Sequence, residues 1–174
     1  NAGTATASYT YAGDDNHEGS TDSKNFTIGQ KAASVTPAAN SKIYGAADAA
    51  LTGATNGFVP GDNVIASYSR TAGETVLGSP YTISATLAPA GVLSNYNITY
   101  NTANFTISKA PSVTTVTING APFTYTGAAQ TPATVSVTGA NGVVLATPTA
   151  NYANNTNAGT ATASYTYAGD DNHE

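Results

Sequence analysis

The chain has 174 residues, about 40% of them apolar and only 9% charged, with a formal net charge of -5. That length suffices for one or two small cores. The lack of a basic patch excludes phosphate-driven nucleic-acid binding. The absence of cysteine excludes disulfides and thiolate metal sites. No apolar run reaches the length of a membrane span.

In chain order the first element is residues 4–12, TATASYTYA. Ala5, Ala7, Tyr9 and Tyr11 alternate with Thr and Ser, which predicts a half-buried strand. Similar runs predict strands at 25–28, 34–37, 42–44, 63–69, 81–87, 96–100 and 104–108. They continue at 113–118, 122–125, 131–138, 143–148 and 160–168. Turn signals separate them, among them Pro60-Gly61-Asp62, Ala90-Gly91, Asn119-Gly120 and Asn141-Gly142. No stretch carries apolar residues at helical spacing over a dozen positions.

Two repeats organise these strands. Residues 1–18, NAGTATASYTYAGDDNHE, return without a substitution as residues 157–174, an offset of 156. Within that period a weaker likeness joins NFTIGQKAASVT at 25–36 to NFTISKAPSVT at 104–114, with Lys31 and Lys109 half a period apart. The expected organisation is therefore the C-terminal part of a second-type module at 1–30, a complete first-type module at 31–108, and a second-type module at 109–174 that lacks its last strand. Such a chain is expected to be a window on a longer array. About seven short strands per 78 residues, with frequent turns, predict an all-β fold. The expected architecture is tandem immunoglobulin-like β-sandwich modules of about 78 residues arranged as a rod. A β-solenoid is the alternative, but that period is long for one coil.

Lys42-Ile43-Tyr44-Gly45, followed by Asp48 and Leu51, resembles the opening motif of MBG (mostly bacterial immunoglobulin-like) domains. Ala49 stands where that motif usually has Pro. Pro60-Gly61-Asp62, Arg70 to Glu74, Tyr81-Thr82-Ile83, Asn95-Tyr96 and Asn104 to Ile107 continue the likeness in order. The other module resembles a sister type through Phe123 to Gly127, Asn157 to Ala161 and Tyr167 to His173. The resemblance implies repeat modules of large bacterial surface proteins and adhesins, outside the cell or on its surface, and brings no catalytic residues.

Candidate sites are few. Asp14, Asp15, Asn16, Glu18 and Asp22 form the densest polar cluster. Calcium takes six to eight oxygen ligands, so this loop is a candidate metal site, with a solvated polar turn as the competing reading. No other cofactor is expected. His17 and His173 lack a second imidazole nearby and read as surface residues. Lys31 and Lys109 open their modules beside Asn-bearing strands, where a Lys–Asn isopeptide bond would suit a load-bearing stalk, yet no catalytic acid is legible. Eleven tyrosines could stack on sugars or pack at the core edge.

The expected function is structural: a stalk or extender of a secreted or surface-anchored adhesin or fibre, without catalysis. Its partners would be neighbouring repeats of the same chain, or head-to-tail copies forming a filament. In the second case residues 19–30 of one copy complete the module of the next. The alternative is a multivalent carbohydrate-binding module with glycans as ligands.

Overall fold

A computed structural model describes residues 1–174 and is all-β, with one single-turn helix, α1 (Ala90–Leu93). No helix is long and apolar enough to cross a membrane. The chain divides into two compact units, described separately below. One holds Asn1–Asn40, Ala50–Thr71 and Thr82–Asn104; the other holds Ser41–Ala49, Ala72–Tyr81 and Phe105–Glu174.

In the first unit, β1 (Gly3–Tyr11) and β2 (Ser20–Ile28) form an antiparallel hairpin paired along all nine residues of each strand. β3 (Lys31–Pro37) pairs antiparallel with β5 (Gly53–Asn56) on one edge and parallel with β8 (Tyr96–Tyr100) on the other. Its period-two pattern buries Ala33, Val35 and Pro37 and turns Thr36 outward. β6 (Ile65–Arg70) pairs antiparallel with β7 (Tyr81–Ala88). Tyr96 is 4% exposed, stacks at a tilt on Phe58 and accepts a 2.9 Å bond from the Val59 amide. Its hydroxyl donates to Asp62, which solves the usual problem of a buried phenol.

In the second unit, β10 (Val113–Ile118), β11 (Ala133–Thr138) and β12 (Val144–Ala146) form a meander that buries Val135 and Val137. β13 (Asn151–Ala153) and β14 (Thr162–Ser164) make a short antiparallel pair. β4 (Asn40–Ile43), β9 (Ala103–Ser108), β7 and β6 stand in that order in a four-stranded sheet. Phe105 and Ile107 are the inward residues of β9, at 0% and 2% exposure.

Several sequence expectations shift. The turn at Pro60-Gly61-Asp62 is a short 3-10 helix closed by Asn63 in the left-handed region. β5 and β13 were not legible, because GATN and NYA lack a long alternating run. Conversely, the expected strand at 122–125 joins no ladder, and the one at 160–168 contracts to three residues. Propensity permits a strand; only a paired neighbour satisfies its amides and carbonyls. The identical β1 sequence shows this directly, since with β2 beside it all nine residues pair.

Candidate functional site

The most elaborate polar and packing arrangement surrounds Lys109, where one sequence period follows another. β4 delivers Lys42, whose side chain is only 6% exposed, between Asp48 at 2.8 Å and Glu74. Their hydrogen bonds and charge raise the Lys42 pKa against the opposing effect of burial. This ion cluster ties both ends of the loop 42–48 and sets the direction of Tyr44 and Gly45. The Tyr44 amide donates to the Ser108 carbonyl at 2.8 Å, holding the loop to the end of β9.

The loop meets the segment after Lys109 through three kinds of contact. Tyr44 lies edge-on to the His173 ring, with centroids 5.2 Å apart at 83°. The Asn141 side-chain amide donates to the Gly45 carbonyl at 3.1 Å. The Val76 amide donates to Asn172 Oδ1 at 3.0 Å. Gly45 has φ +81°, and a Cβ there would sit 2.7 Å from the Ala140 methyl. Glycine is therefore required twice, by conformation and by space.

His173 is held from the other side by Asp170 at 2.9 Å and lies against Gly139. The chain end is laced to the start of its own segment. The Ala110 amide donates to Asn172 O at 2.9 Å, Glu174 donates to Ala110 O at 3.0 Å, and Ser112 donates to Glu174 O at 2.8 Å. Lys109 Nζ donates to the Asp170 carbonyl. Burial opposes ionisation of Asp170, but bonds from the Asn172 amide, His173 and Tyr167 outweigh it and hold its carboxyl well below the usual range.

A second set of contacts surrounds Lys31. The Ala2 amide donates to Asn95 Oδ1 at 2.7 Å, and the Lys31 amide donates to Asn95 O at 2.9 Å. Gln30 Nε2 donates to the Ser94 carbonyl at 3.0 Å. Lys31 Nζ donates to the Gly57 carbonyl. Both period-opening lysines thus place their ammonium groups on backbone carbonyls rather than beside an Asn side chain.

The polar loop of 14–22 is a hydrogen-bonded turn. Asp14 accepts from Tyr11, from the Asn16 amide and from His17, and these bonds lower its pKa to about 2. Asp22 stands on β2 with Lys24 at 2.9 Å. Asp15, Asn16 and Glu18 are exposed. No three His, Asp or Glu side chains converge as a metal-holding group. The same turn recurs at Tyr167, Asp170 and Asn172 with the same bonds. The two histidines differ, however: His17 is 71% exposed, whereas His173 is 7% exposed. His173 corrects the surface reading, because Tyr44 and Gly139, far away in sequence, enclose it. No local signal could have revealed that.

The tyrosines also divide. Tyr81 and Tyr96 are core residues with bonded hydroxyls, while Tyr9 and Tyr125 are 75% and 62% exposed.

The Lys42, Tyr44, Gly45 and Asp48 motif is thus a loop-fixing device, and it lies inside a segment matched by a known family model. Residues 33–106 form an MBG domain of the YGX type. Neither the curated proteins nor the solved structures return a match to the chain. The MBG family points to a repeat domain of bacterial surface proteins. In the MBG domain of this chain, the Tyr and Gly of the motif do not face a ligand cavity. They pack against His173, Ala140 and Asn141.

Proposed function

We propose that this chain is a spacer: a tandem-repeat stalk or extender segment of a secreted or cell-surface bacterial adhesin or fibre, with no catalysis. Its modules are residues 1–30, 31–108 and 109–174, the first and last being parts of one second type. The observation that carries the reading is the packed joint at Lys109. A spacer must pass orientation from one module to the next, and a buried histidine, a glycine without room for a methyl, and side-chain bonds to backbone do that. A free linker would need none of them. The contacts of Asn95 with Asn1, Ala2 and Lys31 support a similarly short joint at the other boundary. Sparse charge and a surface of Thr, Ser, Asn and Gly suit modules crowded along one chain.

The test is small-angle scattering on chains of one, two and four 156-residue periods. The expected result is a maximum dimension that grows in proportion to the number of periods. Growth with about the cube root of mass would refute the spacer reading.

A second reading is a multivalent carbohydrate-binding surface, favoured by the exposure of Tyr9, Tyr100 and Tyr125. Glycan-array binding that falls on replacement of these tyrosines by alanine would support it; no binding by a multi-repeat chain would remove it.

A further inference from the structure

The tetrad Asn-Phe-Thr-Ile occurs twice, in opposite environments. In β9, Phe105 and Ile107 are fully buried, and the strand has β4 on one edge and β7 on the other. In β2, Phe26 and Ile28 keep the same alternation but are 53% and 43% exposed, and the strand pairs with β1 alone. An edge strand carrying two large apolar residues on one face is a template for further pairing.

Residues 109–174 present a matching seat. Residues 160–168 repeat the β1 sequence, and the turn after them repeats the β1 turn bond for bond at Asp170. Yet only Thr162–Ser164 joins a ladder, on the side of β13. Beside it lies an open cavity of about 380 Å³, lined by Ile118, Phe123, Tyr125, Tyr152, Ala161 and Ala163. Its far wall is the 122–125 stretch, which alternates like a strand and has no strand beside it.

We propose that β2 of one copy of this chain inserts into a second copy, between residues 160–168 and 122–125, and seats Phe26 and Ile28 in that cavity. The inference rests on the spacer reading and adds how copies join. The register is already in the structure. β1 and β2 pair Gly3 with Ile28, Ala5 with Phe26 and Thr6 with Asn25. Transferred to the identical sequence, Ile28 faces Gly159, Phe26 faces Ala161 and Asn25 faces Thr162. Gly159 and Ala161 line the cavity, so this register sends both apolar side chains into it. Directly opposed residues in an antiparallel pair share a face, which makes the placement a matter of geometry.

The occupant follows from identity: a strand that fits residues 4–12 fits residues 160–168 as well. The ladder that β2 leaves on β1 is replaced by an equivalent one. What is gained is burial of Phe26 and Ile28 and pairing of the second strand edge. Because donor strand and acceptor seat are different parts of the chain, the contact is head-to-tail and does not close on itself as a twofold dimer would.

The chain contains no cysteine, so introduced ones report alone. Thr6 Oγ1 and Asn25 Oδ1 lie 2.7 Å apart, so a pair at Thr162 and Asn25 is within disulfide reach in the transferred register. A chain carrying Asn25→Cys is mixed with a differently tagged chain carrying Thr162→Cys under mild oxidation. The expected product is a mixed disulfide dimer, formed about tenfold more than with Ser23→Cys, two residues out of register. Equal yields from both, or no mixed dimer, would overturn the proposal. A Phe26→Asp/Ile28→Asp chain, whose changed residues are exposed in the single chain, should keep its β-sheet circular dichroism and lose cross-linking. Undiminished cross-linking would count against the strand. Appending a second copy of residues 19–30 after Glu174 should supply the strand in cis and suppress capture of the Asn25→Cys chain. Unchanged capture would show that the cavity is not the seat. Proportional growth in scattering without a register-specific cross-link would overturn strand exchange alone and leave the spacer reading standing.

Discussion

Gly45→Ala tests the joint most sharply, because two separable costs fall on one atom. At φ +81° a side chain costs about 1–2 kcal/mol through the clash of Cβ with the backbone. The new methyl would also stand 2.7 Å from the Ala140 methyl, well inside contact distance, and relief of such overpacking costs about 1–3 kcal/mol. The single variant should therefore lose about 2–5 kcal/mol. Ala140→Gly alone should lose only about 0.5–1 kcal/mol. Combined, the two should lose less than their sum by the overlap cost, about 1–3 kcal/mol, while the φ cost stays. Urea unfolding of the four chains, followed by circular dichroism, gives this coupling directly. Strict additivity would mean that the Tyr44-Gly45 loop does not pack on Ala140, and the joint as described would be wrong.

Other consequences can be checked in parallel. Phe105→Ala empties a fully buried site and should cost about 3–5 kcal/mol in chemical denaturation, against less than about 0.5 kcal/mol for the exposed Leu77→Ala. Lys42→Met removes a buried ammonium from two partly exposed carboxylates and should cost about 1–3 kcal/mol, with the largest chemical-shift changes in residues 42–48 and 72–76. Carbon-detected NMR should place the Asp14 carboxyl near 2, with Asp170 also below the ordinary Asp range near 3.8. Both folded values are depressed. Their contribution to stability is thus present above about pH 4 and lost as pH falls through the folded values. The melting-temperature gap between the native chain and Asp170→Asn should narrow below about pH 4, and parallel curves would contradict the linkage. Calcium and chelator melts should coincide if the 14–22 loop is a polar turn, and a calcium-dependent rise would revive it as a metal site.

Much of the fold was legible because alternation is a direct record of burial. Val35, Ile83, Phe105, Ile107, Val135 and Val137 all sit at inward positions of runs read from the sequence. What could not be read depended on partners remote in sequence. Residues 4–12 and 160–168 are the same peptide, yet the first is a nine-residue strand and the second is paired over three residues. The peptides at 14–17 and 170–173 likewise share a turn but not an environment. The site was half legible. The Lys42 to Asp48 motif stood out, whereas its role in turning Tyr44 and Gly45 toward His173 needed the coordinates. Asn95 and Asn141 gave no signal, since an Asn in a turn reads the same whether it bonds locally or braces a neighbour.

The central claim is that orientation passes from module to module through packed joints. Scattering from chains of one, two and four periods tests it most directly. The account predicts that the maximum dimension of the four-period chain approaches four times that of one period, and that Gly45→Ala in every period shortens it. A compact particle, or a profile that ignores Gly45→Ala, would contradict it.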